Sequence, residues 1–135
     1  MSIIKKFLFG WLVFMLACTN PSYTPPENGL DAGRQFADAI YKGNFKRATD
    51  LILPDEQNKA LLSDSLEGPY HQLPGIDRNL LGQSSLQILE VDNQVKDSAT
   101  FIHFLNAYSN RPATIKVVRS NGAWLVDVKY TFTKK

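Results

Sequence analysis

Two histidines, one cysteine and scattered carboxylates are what this sequence offers for chemistry. A histidine acting as a general base or metal ligand needs company, either a carboxylate to orient it or further ligands at short spacing. His71 stands between Tyr70 and Gln72 near Pro74, in a stretch that reads as surface or loop. His103 stands in Phe101-Ile-His-Phe-Leu105, which reads as a strand with Phe101 and Leu105 sharing its face. No H-x-H, H-x-x-x-H or H-x-x-E spacing occurs, so neither zinc nor any other cofactor is expected. Asp127 is a carboxylate that could serve as a base. Serine chemistry has no G-x-S-x-G to rest on, Ser84-Ser85 merely precede a strand, and no glycine-rich phosphate loop is present. Cys18 is the only cysteine, which excludes a disulfide within the chain.

These residues act only where the chain puts them, and the first eighteen residues concern address rather than chemistry. Lys5-Lys6 is followed by an eleven-residue apolar run from Phe7 to Ala17, then Cys18 and Thr19-Asn20-Pro21. A basic start before a short apolar run is the form of a secretory signal, and a spanning helix would take about 20 apolar residues. Met15-Leu16-Ala17-Cys18 resembles the bacterial lipobox, in which a small residue precedes the cysteine. The resemblance implies cleavage after Ala17, a diacylglycerol thioether on Cys18 and acylation of the new amino terminus. Several acyl chains anchor a protein stably where a single one does not. Thr19 rather than aspartate follows the cysteine, which favours the outer membrane if the organism is Gram-negative.

Residues 1–17 are therefore expected to be a signal peptide, and 18–29 a lipidated cysteine with an extended, proline-rich tether. Residues 30–135 are expected to form one domain, as a 135-residue chain allows. Its 44% hydrophobic and 21% charged residues are those of a globular protein. Two of the fifteen basic residues, Lys5 and Lys6, belong to the leader; the remaining 13 balance 13 acidic ones. That balance gives no case for nucleic-acid binding, which usually shows a basic stripe or face.

Within the domain, Phe36, Ala37, Ile40 and Tyr41 form one apolar helical stripe. Gly43 is placed to stop that helix and Asn44 to cap the next, which carries Phe45, Ala48 and Ile52 on one side up to Pro54. Asp55 caps a third helix bearing Leu61, Leu62 and Leu66. Gly68-Pro69 and Pro74-Gly75 break the chain beyond that helix, with a short helix around 77–81. Strands are expected over 85–91, 99–105, 113–119 and 123–132. Asn121-Gly122 is a strong hairpin signal, because a type I′ turn needs positive φ at both positions. A two-residue loop there sets Val117 against Val126, Ile115 against Val128, and Lys116 against Asp127 as an exposed ion pair. Trp124, Val126, Val128, Tyr130 and Phe132 then alternate onto one face.

Helices followed by an antiparallel meander is an α+β order. Phe36-Ala-Asp-Ala-Ile-Tyr-Lys-Gly-Asn-Phe-Lys-Arg-Ala48 resembles the opening of nuclear-transport-factor-2-like domains. Val118-Arg-Ser-Asn-Gly-Ala-Trp-Leu-Val-Asp127 resembles their closing hairpin. The resemblance spans about residues 30–132 and implies the cystatin-like cone: N-terminal helices packed on a curved, antiparallel, four-stranded meander, often around a pocket. It implies no particular activity, since this superfold hosts isomerases, dehydratases, binding modules and assembly domains.

Tyr41, Phe45, His103, Trp124 and Tyr130 are the candidates to line a pocket or an interface, and at helix and strand spacing they serve equally as core. With no reactive constellation, no catalytic residue is assigned. The first expectation is a non-catalytic envelope module, held to the membrane by lipid, that binds a small apolar ligand or an envelope protein. The second is an isomerase- or dehydratase-like enzyme with His103 inside the cone pocket. The third is an assembly domain of an envelope complex.

Overall fold

A computed structural model describes residues 23–95 and 98–133. Ala17 and Cys18, with the signal peptide expected over residues 1–17, lie outside the described residues. The elements run α1 (Gly29–Tyr41), α2 (Phe45–Asp50), α3 (Glu56–Leu61), a π-helix (Leu62–Glu67), α4 (Gly68–Gln72) and α5 (Gly75–Gln83). Strands β1 (Leu86–Val95), β2 (Ala99–Asn106), β3 (Pro112–Ser120) and β4 (Ala123–Asp127) come next, and α6 (Val128–Thr133) comes last. The strands form one antiparallel sheet in the order β1-β2-β3-β4, so the fold is α+β with helices ahead of a meander. Among the described residues no helix is long and apolar enough to cross a membrane.

The helix boundaries follow local capping chemistry. Asn28 Oδ1 accepts from the Asp31 amide at 2.8 Å, Asn44 Oδ1 from Arg47 at 3.1 Å, and Asp55 Oδ1 from Asn58 at 2.9 Å. Each satisfies an orphan amide of a first turn. Gly43 takes φ +73° to end α1, as its position suggested. Two boundaries depart from the expectation. Helix α2 stops at Asp50, ahead of Pro54, because residues 51–53 leave it to pair with β4. The Val126 amide donates to Leu51 O at 2.8 Å and the Leu53 amide to Val126 O at 3.0 Å. Ile52 is thus buried through a parallel bridge on the sheet edge, and that pairing covers an edge that would otherwise be open. At Gly68-Pro69 the helix is not broken. Pro69 has no amide hydrogen, and its ring would meet the carbonyl of Ser65 in an α-turn. The wider π-turn of residues 62–67 carries the chain past it. Beyond Pro74, α5 spans more than the expected 77–81.

The β3–β4 hairpin has the expected register: Lys116 opposite Asp127, Val117 opposite Val126 and Arg119 opposite Trp124. Asn121 and Gly122 sit at φ 49° and 79°. Ile102, Phe104, Ile115, Val117 and Val126 face the helices and are buried, while Phe101, His103, Thr114 and Lys116 take the other face. The expected strand over 123–132 nevertheless ends at Asp127. Buried Asn58 ends it, its Oδ1 accepting from the amides of Val128 at 2.6 Å and Lys129 at 3.2 Å. Those amides are thereby turned from the ladder into the first turn of α6, so Ile115 and Val128 do not pair as strand residues. Val128 still enters the core. Tyr130 instead crosses to the outer face, its ring 5.0 Å from Phe101, and Phe132 is exposed.

Two surface expectations change as well. Lys116 Nζ lies over the rings of Phe101 and Tyr130, at 5.8 and 6.0 Å, and Asp127 Oδ1 is buried without a hydrogen-bond partner, so the exposed ion pair is not what the hairpin makes. Residues 23–28, expected within an extended tether, lie against α1 and α2. Asn44 Nδ2 donates to the Tyr23 hydroxyl at 2.6 Å, Gln35 Nε2 donates to Thr24 O at 3.2 Å, and the Arg47 guanidinium stacks 4.6 Å from the Tyr23 ring.

Candidate functional site

A wedge between α1 and the sheet makes the site. The sheet-facing stripe of α1 begins with Gly29, Ala32 and Gly33, which bring its first half into contact with β2. A Cβ on Gly33 would stand 2.2 Å from Ile102 Cδ1, and one on Gly29 2.4 Å from Thr100 Oγ1. In the second half the stripe changes to Phe36, Ala37, Ile40 and Tyr41, and large side chains hold the helix away. A cavity of about 130 Å³ lies between these four and Phe104, Ala113 and Ile115 of the sheet. Leu66 of the π-helix closes one side, and Val128 and Thr131 of α6 another. Single π-helical turns within α-helices are frequent at functional sites.

The lining is carbon but for two hydroxyls, and both have partners. Thr131 Oγ1 donates to Thr114 O at 2.9 Å. Burial pushes the Tyr41 phenol above its ordinary 10.0, an effect that its hydrogen bond with Ser109 partly offsets, so the group is neutral at physiological pH. The Tyr41 ring meets Phe104 edge-on at 6.3 Å. With both side-chain hydroxyls satisfied, the lining suits an apolar guest.

The five candidate aromatic and histidine positions do not converge. Tyr41 alone lines the cavity. Phe45 is buried in the core, packed against Tyr70 at 5.4 Å and His71 at 5.8 Å. His71 lies exposed on α4 beside Glu67, at 3.6 Å. Trp124 is half-buried near Leu30, Val91 and Thr100, under the Arg119 guanidinium. His103 points away from the cavity, on the outer face of the sheet. Thr114 Oγ1, not a carboxylate, holds its Nδ1, at 2.8 Å. It shares an outer crevice with Tyr130. Among the described residues no group of three His, Cys, Asp or Glu side chains is placed to hold a metal ion.

Leu66, Phe104, Ala113, Ile115, Val128 and Thr131 complete the cavity from four separate elements and carry no reactive group. No motif marks them. The helical stripe ending at Tyr41 is the one trace of the site in the sequence, and it reads equally well as core. No protein-family model, curated protein or solved structure matches this chain.

Proposed function

We propose that this chain is a lipid-anchored envelope lipoprotein whose domain, a small cone of the nuclear-transport-factor-2-like kind, binds an apolar ligand without transforming it. The cavity between α1 and the sheet is the observation that carries the reading. A dry apolar cavity of about 150 Å³ takes up benzene, so a space of 130 Å³ suits a guest of about that size. That is smaller than the 300 Å³ or so at which drug-sized pockets begin, and it points to one ring or a short alkyl chain. The lining offers hydrophobic contact, and its two side-chain hydroxyls, on Tyr41 and Thr131, are each engaged in a hydrogen bond. The isomerase reading needs His103 inside the cone, and the outward position of that residue argues against it.

The address rests on Met15-Leu16-Ala17-Cys18. Intact-mass measurement of the membrane-extracted protein should find cleavage after Ala17 and the added mass of acyl chains on Cys18. Native protein recovered unacylated, with another amino terminus, would remove the anchor.

Toluene tests the binding claim. It should shift the methyl resonances of Leu66, Ile115 and Val128 in the full-length protein in phospholipid nanodiscs. Ala113→Leu pushes a larger side chain into the cavity and should abolish those shifts. Filling a cavity commonly adds about 0.5–2 kcal/mol, so the thermal midpoint should hold or rise. Toluene shifts that survive Ala113→Leu would place the binding elsewhere.

A further inference from the structure

Residues 23–28 run back along α1 before the helix begins. The Glu27 amide donates to Asp31 Oδ2 at 3.0 Å, Gln35 Nε2 to Thr24 O at 3.2 Å, and Asn44 Nδ2 to the Tyr23 hydroxyl at 2.6 Å. Successive points along α1 and into α2 therefore hold the segment, and the Arg47 guanidinium, 4.6 Å from the Tyr23 ring, covers its last residue. The chain enters the domain at Tyr23, beside Asn44, and not at Asn28 where α1 starts.

Those two points belong to opposite ends of the fold. Gly29 packs on Thr100 and Leu30 shares a crevice with Trp124, so α1 starts near the Asn121-Gly122 turn. Tyr41, at the other end of α1, meets Phe104, which pairs with Ala113 far down the hairpin. The Gly43-Asn44 turn is therefore about 20 Å from the hairpin end, the length of a helix of 13 residues. Five Cα steps separate Tyr23 from Cys18, a reach of about 18 Å at full extension. From Asn28 the same count gives ten steps and about 36 Å.

We infer that the domain sits on the bilayer surface with its Gly43-Asn44 turn toward the lipid headgroups and its Asn121-Gly122 turn away from them. This rests on the reading of Cys18 as the lipid anchor. A leash of about 18 Å is shorter than the width of a domain this size, about 30 Å. The hairpin end cannot reach the headgroups unless Tyr23 leaves its place beside Asn44 and Arg47. Charge plays the smaller part, because Lys42 is already paired with Asp38 at 2.9 Å, and Lys46 and Arg47 share α2 with Asp50. The cavity follows the same orientation. The half of α1 that meets Tyr23 and Thr24 through Gln35 and Ala39 lines the cavity on its other side with Phe36, Ile40 and Tyr41. The cavity thereby lies in the half of the domain nearer the membrane.

Full-length protein in phosphatidylcholine nanodiscs doped with a gadolinium-chelating lipid tests the orientation. Paramagnetic relaxation falls as the sixth power of distance. Across the roughly 20 Å between the two ends, the amides of Gly43, Asn44 and Phe45 should relax about tenfold faster or more than those of Asn121, Gly122 and Ala123. Salt at about 1 M, which shortens the screening length to about 3 Å, should preserve that contrast. Tyr23→Ala frees the segment, and a Gly-Ser insertion of about ten residues after Asn20 lengthens the leash; each should shrink the contrast severalfold. Equal relaxation at the two ends of acylated protein, a contrast lost in salt, or one that survives both variants overturns the orientation and leaves the anchor standing. Protein recovered unacylated and outside the discs removes anchor and orientation together.

Discussion

Replacing Asn58 by alanine removes the group that ends the sheet and starts α6. Asn58 is fully buried; its Oδ1 accepts from Val128 at 2.6 Å and Lys129 at 3.2 Å, and its Nδ2 donates to Asp55 Oδ2 at 2.7 Å. The Val128 amide loses its partner in a buried setting, and an unpaired buried donor costs about 1–3 kcal/mol. The Lys129 amide and Asp55 are part-exposed and regain water, so they add less. The total comes to about 2–4 kcal/mol, a large share of the 5–15 kcal/mol that holds a domain together. In urea, with a slope of about 2 kcal/mol per molar, mid-range for small proteins, the midpoint should fall by about 1–2 M. Trp124 fluorescence reports it once residues 1–17, and Trp11 with them, are removed. A midpoint within about 0.3 M of the parent would refute the argument that Asn58 holds this junction. The pH dependence gives a second reading. Hydrogen bonds from the Asn58 backbone and then its side chain hold Asp55 below its ordinary 3.8, with the Lys129 ammonium contributing. An acid with a depressed folded value adds stability above its unfolded value and loses it as pH falls through the folded one. Acid destabilisation below pH 3.8 should therefore be shallower in Asn58→Ala than in the parent.

Gly122→Val leaves the hairpin free of clashes, since nothing lies within 4 Å of a Cβ there, but forces a β-branched residue to φ 79°. Thermal or urea unfolding should register a loss of about 1–3 kcal/mol, and an unchanged midpoint would contradict the turn. Gly29→Ala drives a methyl against Thr100, whose Oγ1 is bonded to Asn93 at 2.9 Å. Overpacking of that kind costs about 1–3 kcal/mol, and a neutral result would mean that α1 and β2 have room between them for a methyl group. Arg47→Ala removes the guanidinium stacked on Tyr23, and limited proteolysis should then cut near Tyr23 faster while the domain keeps its thermal midpoint. Equal cutting rates would show that residues 23–28 are held without Arg47.

Local chemistry was legible in the sequence wherever a neighbour decides the outcome. The caps at Asn44 and Asp55, the stop at Gly43 and the Asn121-Gly122 hairpin with its register all depend on residues a few positions apart. Where the decisive partner is remote, the chain misleads. Val128, Tyr130 and Phe132 continue the alternation of β4, yet Asn58, seventy residues before Val128, turns that segment into a helix. Residues 23–28 have the composition of a free tether, yet the side chains of Asn44, Gln35 and Arg47 hold them. Gly68-Pro69 has the chemistry of a break, which a wider turn avoids at the cost of one irregular hydrogen-bond pattern. The cavity was the least legible feature, because it is the absence of atoms between unreactive side chains from five elements. Its one contiguous trace, the stripe from Phe36 to Tyr41, has the same periodicity as a fully packed core.

The central claim is that the space between α1 and the sheet is dry and takes an apolar guest. A crystal of the domain pressurised with xenon tests it directly, because xenon enters apolar cavities and leaves hydrated ones. The account predicts a xenon peak in contact with Phe36, Leu66, Phe104 and Ile115. A chain of ordered waters in that space, or a cavity filled by the side chains of Tyr41 and Leu66, would contradict it.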